Sequence, residues 1–314
     1  MGLLDIVRRV TLRQSAPSAA ASSGRGLPAA PTRPAAGATP PASARQAPDG
    51  PVACRFFEYA TGRACLDQRD ISTSERQVLE SLDRMLDNPG SVARWIPRPP
   101  AVLPRLLACL RDDEASLREA CELIRADPYL AAEVLRLANA ARQQHGAPVT
   151  ELERAAVRLG TDGLRRAVGA TLLRPLFDTL RDPLLGQALP RLWAHAQSKS
   201  GWCHALAPQN GVDSFDAYLA GLTHNLGWIG ALKALGRDRP GPGPTAGYSS
   251  EFVLGLARRS ERMFACSAQQ WAVNDALTRL GAALRECALQ DAADALAQVL
   301  YKADTRATEE LAAA

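Results

Sequence analysis

The sequence predicts an all-α protein with a disordered N-terminal tail, on three observations. Beyond residue 92, apolar residues recur every three or four positions almost without a break, the period of a helix with one buried face. Helix-start signals return at short intervals: Ser72 with Glu75, Ser116 with Glu119, Asp127 before Pro128, and Thr150 with Glu153. Nowhere do apolar and polar residues alternate for more than a few positions, as a half-buried strand would require.

With 314 residues, 46% of them hydrophobic, the chain can bury a large core. Its formal charge of +4 comes entirely from residues 1–50, which hold six Arg against two Asp. The remainder is neutral overall, which argues against a basic nucleic-acid-binding face. The seven Cys are odd in number, scattered through apolar helical patterns and without a C-x-x-C pair, so reduced, packed thiols are expected. Met1 to Thr11 is interrupted by Asp5 and Arg8-Arg9, which breaks the apolar run a secretory signal needs, and no run is long enough to span a membrane. A cytoplasmic protein is the expectation.

Taken in order, Gly2 to Gln14 places Leu3, Val7 and Val10 on one face, a short amphipathic segment. Between residues 15 and 50, 28 of 36 residues are Ala, Pro, Ser or Gly; such a stretch has little to bury and reads as disordered. Residues 51–92 read as an N-terminal extension with one helix, opened by Ser72 and Glu75 and closed at Asn88-Pro89-Gly90. Residues 51–70 show no clear period. A domain spanning 93–307 follows. Its helices are expected at Leu103 to Leu110, from Ser116 through Ile124, from Asp127 toward Gly146, from Thr150 to Gly160, and from Asp162 to a kink at Pro175. Further helices run from Leu184 to Leu206, from Asp213 to His224, and from Leu226 to a stop at Gly236. The last three are Phe252 to Arg259, Asn274 to Cys287 and Asp291 to Ala303, leaving 308–314 as a C-terminal tail.

The stretch from Ile96 to Thr305 resembles the HDOD family, output domains related to the HD metal phosphohydrolases. The resemblance rests on Asp127-Pro128 with Leu135-Arg-Leu-Ala-Asn139, on Pro148-Val-Thr150 with Ala155-Ala-Val-Arg-Leu-Gly160, on Leu192-Trp-Ala-His195, and on Ala220-Gly-Leu-Thr-His224-Asn225-Leu-Gly227. It implies a multi-helix HDOD-like bundle. It also places His195, His224, Asn225 and Asp304 where the HD superfamily holds its metal.

Position 225 departs from that pattern, because the superfamily has Asp where this chain has Asn. A carboxylate brings charge and can bridge two cations, whereas an amide offers one neutral oxygen. The pocket is therefore read as a degenerate HD site with no catalytic residue, no cofactor and no metal expected; any metal would fall to His195, His224 and Asp304. The structural reading of the same residues is a pair of satisfied core histidines and a solvated acid. His145 reads as a loop residue and His204 as a packing one, and the Arg165-Arg166 and Arg258-Arg259 pairs read as solvated faces.

These readings lead to a bacterial-type regulatory or signal-transduction protein that is not an enzyme. It would work through a protein partner, with room for a small-molecule ligand in the degenerate pocket and with no membrane span or nucleic-acid partner. The alternatives are a metal-dependent phosphohydrolase acting on a nucleotide or cyclic dinucleotide, and a nucleic-acid-binding regulator.

Overall fold

The computed structural model describes residues 51–92, 94–96, 103, 117–140, 148–178, 183–237 and 247–313. The tail, the segment at 2–14, most of the helix expected at 103–110, Ser116, His145 and the Pro-Gly spacer before residue 247 lie outside the described residues. Within them the chain is all-α, with two strands of two residues each.

Helix α1 (Val52–Thr61) occupies part of the stretch that shows no clear period. Its buried face is Cys54, Phe56, Phe57, Ala60 and Thr61, so Cys, Ala and Thr dilute the apolar signal carried by the two Phe. Gly62, at φ 67°, caps it and turns the chain back. Strand β1 (Cys65–Leu66) then runs parallel to β2 (Tyr248–Ser249). That return sets Cys65 against Cys54, and the two form a disulfide, a departure from the expected reduced thiols.

Helix α2 (Thr73–Leu86) starts on the expected capping box: the Glu75 amide donates to Ser72 Oγ and the Ser72 amide donates to Glu75 Oε2 at 2.7 Å. The same carboxylate, almost fully buried, accepts from Ser249 N at 3.1 Å and Ser249 Oγ at 3.3 Å. With the short α3 (Pro89–Val92), residues 51–92 hold three helices where one was expected.

Helices α4 (Leu117–Arg125) and α5 (Pro128–Ala140) follow. Asp127 Oδ1 accepts from the amides of Tyr129 and Leu130 and so caps α5 as the sequence indicates. Asn139, which ends the L-R-L-A-N motif, clamps the next motif: its amide donates to Val149 O at 2.9 Å and accepts from Val149 N at 2.8 Å. Helix α6 (Leu152–Leu173) does not use the Thr150 and Glu153 box, because its N-cap is Glu151 and Glu153 pairs with Arg125 of α4. Gly160, at φ 67° and ψ 171°, divides α6 into two helical segments, in line with the helix end and the new start that the sequence places at Gly160 and Asp162. Pro175 lies in a 3-10 turn, Arg174–Phe177.

Helix α7 (Pro183–Leu206) is the central rod; α1, α8 (Ser214–His224), α9 (Leu226–Arg237) and α12 (Ala295–Ala312) all pack on it. Asp213 caps α8 through two amide bonds, and α9 runs one residue past Gly236. Helix α10 (Ser250–Trp271) extends well beyond the expected stop at Arg259. The two arginines that suggest an end are ties between helices. Arg259 donates to Leu79 O at 3.1 Å and pairs with Asp83 of α2. Arg258 donates to the carbonyls of Leu284 and Arg285 at the end of α11 (Asp275–Glu286). Helix α12 also runs on through residues read as a tail, because Ala307 and Thr308 are buried against the bundle.

Two glycines let α8, α9 and their neighbours approach closely. A Cβ at Gly221 would lie 2.6 Å from Ser200 Cα of α7, and one at Gly227 would lie 2.0 Å from Ser260 O of α10. Gly50–Ala314 form one compact unit, and among the described residues no helix is long and apolar enough to cross a membrane.

Candidate functional site

Helical spacing puts Leu192, His195 and Lys199 on one face of α7. Helix α8 ends at His224, Asn225 is its C-cap, and Asp304 reaches in from α12. The structure thus brings all four residues of the HD-like set together, around a side chain the sequence reading did not single out. Lys199 is fully buried. Its Nζ lies 2.6 Å from Asn225 Oδ1, 2.8 Å from Asp304 Oδ1 and 3.0 Å from His224 Nδ1. Three acceptors around one nitrogen match the three N–H groups of an ammonium.

That geometry fixes the remaining protons. Asn225 must turn its oxygen to Lys199, so its Nδ2 donates to Leu192 O at 2.9 Å and to His195 Nδ1 at 3.1 Å. His195 then carries its proton on Nε2 and donates to Thr308 Oγ1 at 3.0 Å. His224 accepts on Nδ1 and likewise holds its proton on Nε2, a buried atom with no partner among the described residues. Burial, reinforced by the Lys199 charge, lowers both imidazoles to about 3, so they are neutral. Burial pushes the Asp304 carboxyl up, but the charge of Lys199 and its hydrogen bond outweigh it and hold the group below the usual carboxylate range.

These residues do not fit a divalent cation. The point that faces His224, Asn225 and Asp304 is taken by Lys199 Nζ, and both nitrogens of His195 are committed elsewhere. Among the described residues, the group of three ligand atoms lying within 4.8 Å of one another is Cys54, Cys65 and Asp67, two of which form the disulfide. His195, His224 and Asp304 do not form such a group. Asp304 is not the freely solvated acid of the structural reading, since its side chain is 21% exposed and ion-paired. His204 reaches Asp162 at 3.1 Å and lies outside the cluster.

Residues 96–240 match the HDOD domain family. The chain carries an HDOD domain. The matched segment contains Lys199, His195, His224 and Asn225, while Asp304 and α12 lie beyond it. A comparison with curated proteins gives no significant match. Three solved structures similar to the chain are an HDOD domain protein of unknown function from Geobacter sulfurreducens (20% identity, TM-score 0.49, covering 73% of this chain and 76% of that one), a candidate metal-dependent phosphohydrolase from Shewanella amazonensis SB2B (16%, 0.45, 77% and 100%), and a candidate signal transduction protein from Marinobacter aquaeolei VT8 (19%, 0.45, 79% and 56%).

Lys199 had a signal. It follows His195 by four positions and precedes Cys203 by four, so it continues the apolar stripe of α7 and is charged where its neighbours are not. Glu261 of α10, also missed, lies with His224 and Asp304 in the wall of an open cavity of about 570 Å³. Burial pushes its carboxyl up to about 7, against the opposing pull of the Leu289 amide and Arg258.

Proposed function

We infer that this HDOD protein is a cytoplasmic regulatory component of signal transduction that works by binding and not by turnover. The observation carrying this reading is the Lys199 ammonium, hydrogen-bonded to His224, Asn225 and Asp304. A metal phosphohydrolase needs a Lewis acid that polarises phosphate oxygen and acidifies a bound water. An ammonium with all three N–H groups engaged by protein acceptors does neither. What it supplies is a neutralised, packed junction between α7, α8 and α12, suited to transmitting a change of packing to a protein partner. The free thiols Cys121, Cys203, Cys266 and Cys287 accord with a reducing compartment, where the Cys54–Cys65 bond would be the exception.

Elemental mass spectrometry on purified protein and on His224→Ala tests this reading. Well below one metal per chain in both is expected. Close to one metal per chain, lost in the variant and accompanied by phosphate release from nucleotides, would overturn it.

A further inference from the structure

The cavity beside the Lys199 cluster has a definite chemistry. Phe56 of α1 and Trp228 of α9 form its apolar floor, with ring centroids 5.1 Å apart, and Leu254 and Tyr301 stand partly exposed among its walls. Its volume of about 570 Å³ falls in the range that takes small organic molecules.

The cations near it have little to offer a ligand. Lys199 has no exposed surface and its three donors are engaged, and Arg258 is committed to Glu261 and to the carbonyls of Leu284 and Arg285. The acceptors are different. Asp304 uses Oδ1 for Lys199, and Glu261 uses Oε2 for Arg258 and the Leu289 amide, so among the described residues each carboxylate keeps a second oxygen without a hydrogen bond. One donor is also left over: His224, 4% exposed and part of the cavity wall, has no partner for Nε2–H among the described residues. A buried donor left unpaired costs about 1–3 kcal/mol, which a bound acceptor oxygen would recover.

We propose that this cavity binds a small protonated organic amine that has an aromatic or aliphatic body and a hydroxyl or carbonyl oxygen. The ammonium pairs with Asp304 and Glu261, the oxygen accepts from His224 Nε2–H, and the body lies on Phe56 and Trp228, where ring faces also favour a cation. Phosphates and carboxylates meet two carboxylates and, among the described residues of the wall, no uncommitted cation, so they are disfavoured. The assignment deepens the regulatory reading and rests on it in one respect, that His224 and Asp304 are not metal ligands; metal content tests that separately.

The test is isothermal titration calorimetry of the full chain with 2-amino-1-phenylethanol, with 3-phenylpropionate as an anion of similar size and inorganic phosphate as a second control. Saturable one-to-one binding of the amine alone is expected, weakened about tenfold or more in Glu261→Gln, which keeps the bonding pattern and removes the charge. Ala257→Phe, which fills the cavity without touching its polar groups, should abolish binding and covers the case in which Glu261→Gln does not fold. Absence of saturable amine binding up to millimolar concentration, equal binding of either anion, or amine binding unchanged in both variants would each overturn the proposal.

Discussion

Asn225 donates through Nδ2 to the main-chain carbonyl of Leu192, 2.9 Å away, and so ties the α8–α9 joint to the middle of α7. An aspartate at this position has no such donor. Asn225→Asp would set a carboxylate oxygen against the Leu192 carbonyl and remove the bond to His195 Nδ1. The expected outcome is a loss of about 2–3 kcal/mol of stability in urea denaturation, with no gain of bound Mn²⁺ or Zn²⁺ in elemental analysis.

Removing the ammonium should be worse than replacing the whole pair. Lys199→Met leaves Asp304 facing two neutral imidazoles and should cost about 3 kcal/mol or more. The double variant Lys199→Met, Asp304→Leu should recover much of that loss, because two apolar groups of similar volume need no compensation. Equal destabilisation of the single and double variants in a denaturation cycle would contradict the view that the charge pair governs this junction.

Acid should weaken the fold well before ordinary carboxylates titrate. His195 and His224 titrate near 3 when folded and near about 6.5 when unfolded, so as pH falls below about 6.5 the unfolded chain takes up protons that the folded one refuses. Glu261 acts in the opposite sense. Its folded value of about 7 exceeds the unfolded value of about 4.3, so it favours folding as pH falls through that interval. Two imidazoles against one carboxyl leave stability rising with pH between 5 and 6.5, by about 1.4 kcal/mol per unit at most. In urea midpoints taken across that range, Glu261→Gln should steepen the slope and His224→Gln should flatten it.

The helix contacts at Gly221 and Gly227 leave no space for a methyl group. Gly227→Ala would drive Cβ to 2.0 Å from Ser260 O, and Gly221→Ala to 2.6 Å from Ser200 Cα, backbone atoms that cannot rotate aside. Each should cost about 2–3 kcal/mol, whereas Gly186→Ala, which meets nothing within 4 Å, should be close to neutral. Thermal melts of the three variants would check the ranking.

Much of the architecture is legible because it rests on local signals. Ser72, Asp127, Asp213 and Asn274 each cap the helix that the sequence assigns to them. What escapes is decided by distant partners. Arg258 and Arg259 look like the polar end of a helix because Leu79, Asp83 and Leu284 are far from them in sequence. Glu153 looks like half of a capping box and is instead held by Arg125. In the site, motif resemblance finds His195, His224, Asn225 and Asp304 but passes over Lys199, since a lysine on a helix is by default solvated and only the convergence of α8 and α12 makes it internal.

The carboxylate of Glu75 caps α2 and also accepts from Ser249, 174 residues later in the chain. That second contact cannot form until the distant residue has been synthesised and brought back, a loop closure costing about 5 kcal/mol of chain entropy. At about 5–20 residues per second the ribosome takes roughly 10–35 seconds to reach it. The tie between the start of α2 and Ser249 thus forms only after residue 249 has been made, although the local cap with Ser72 needs no distant partner.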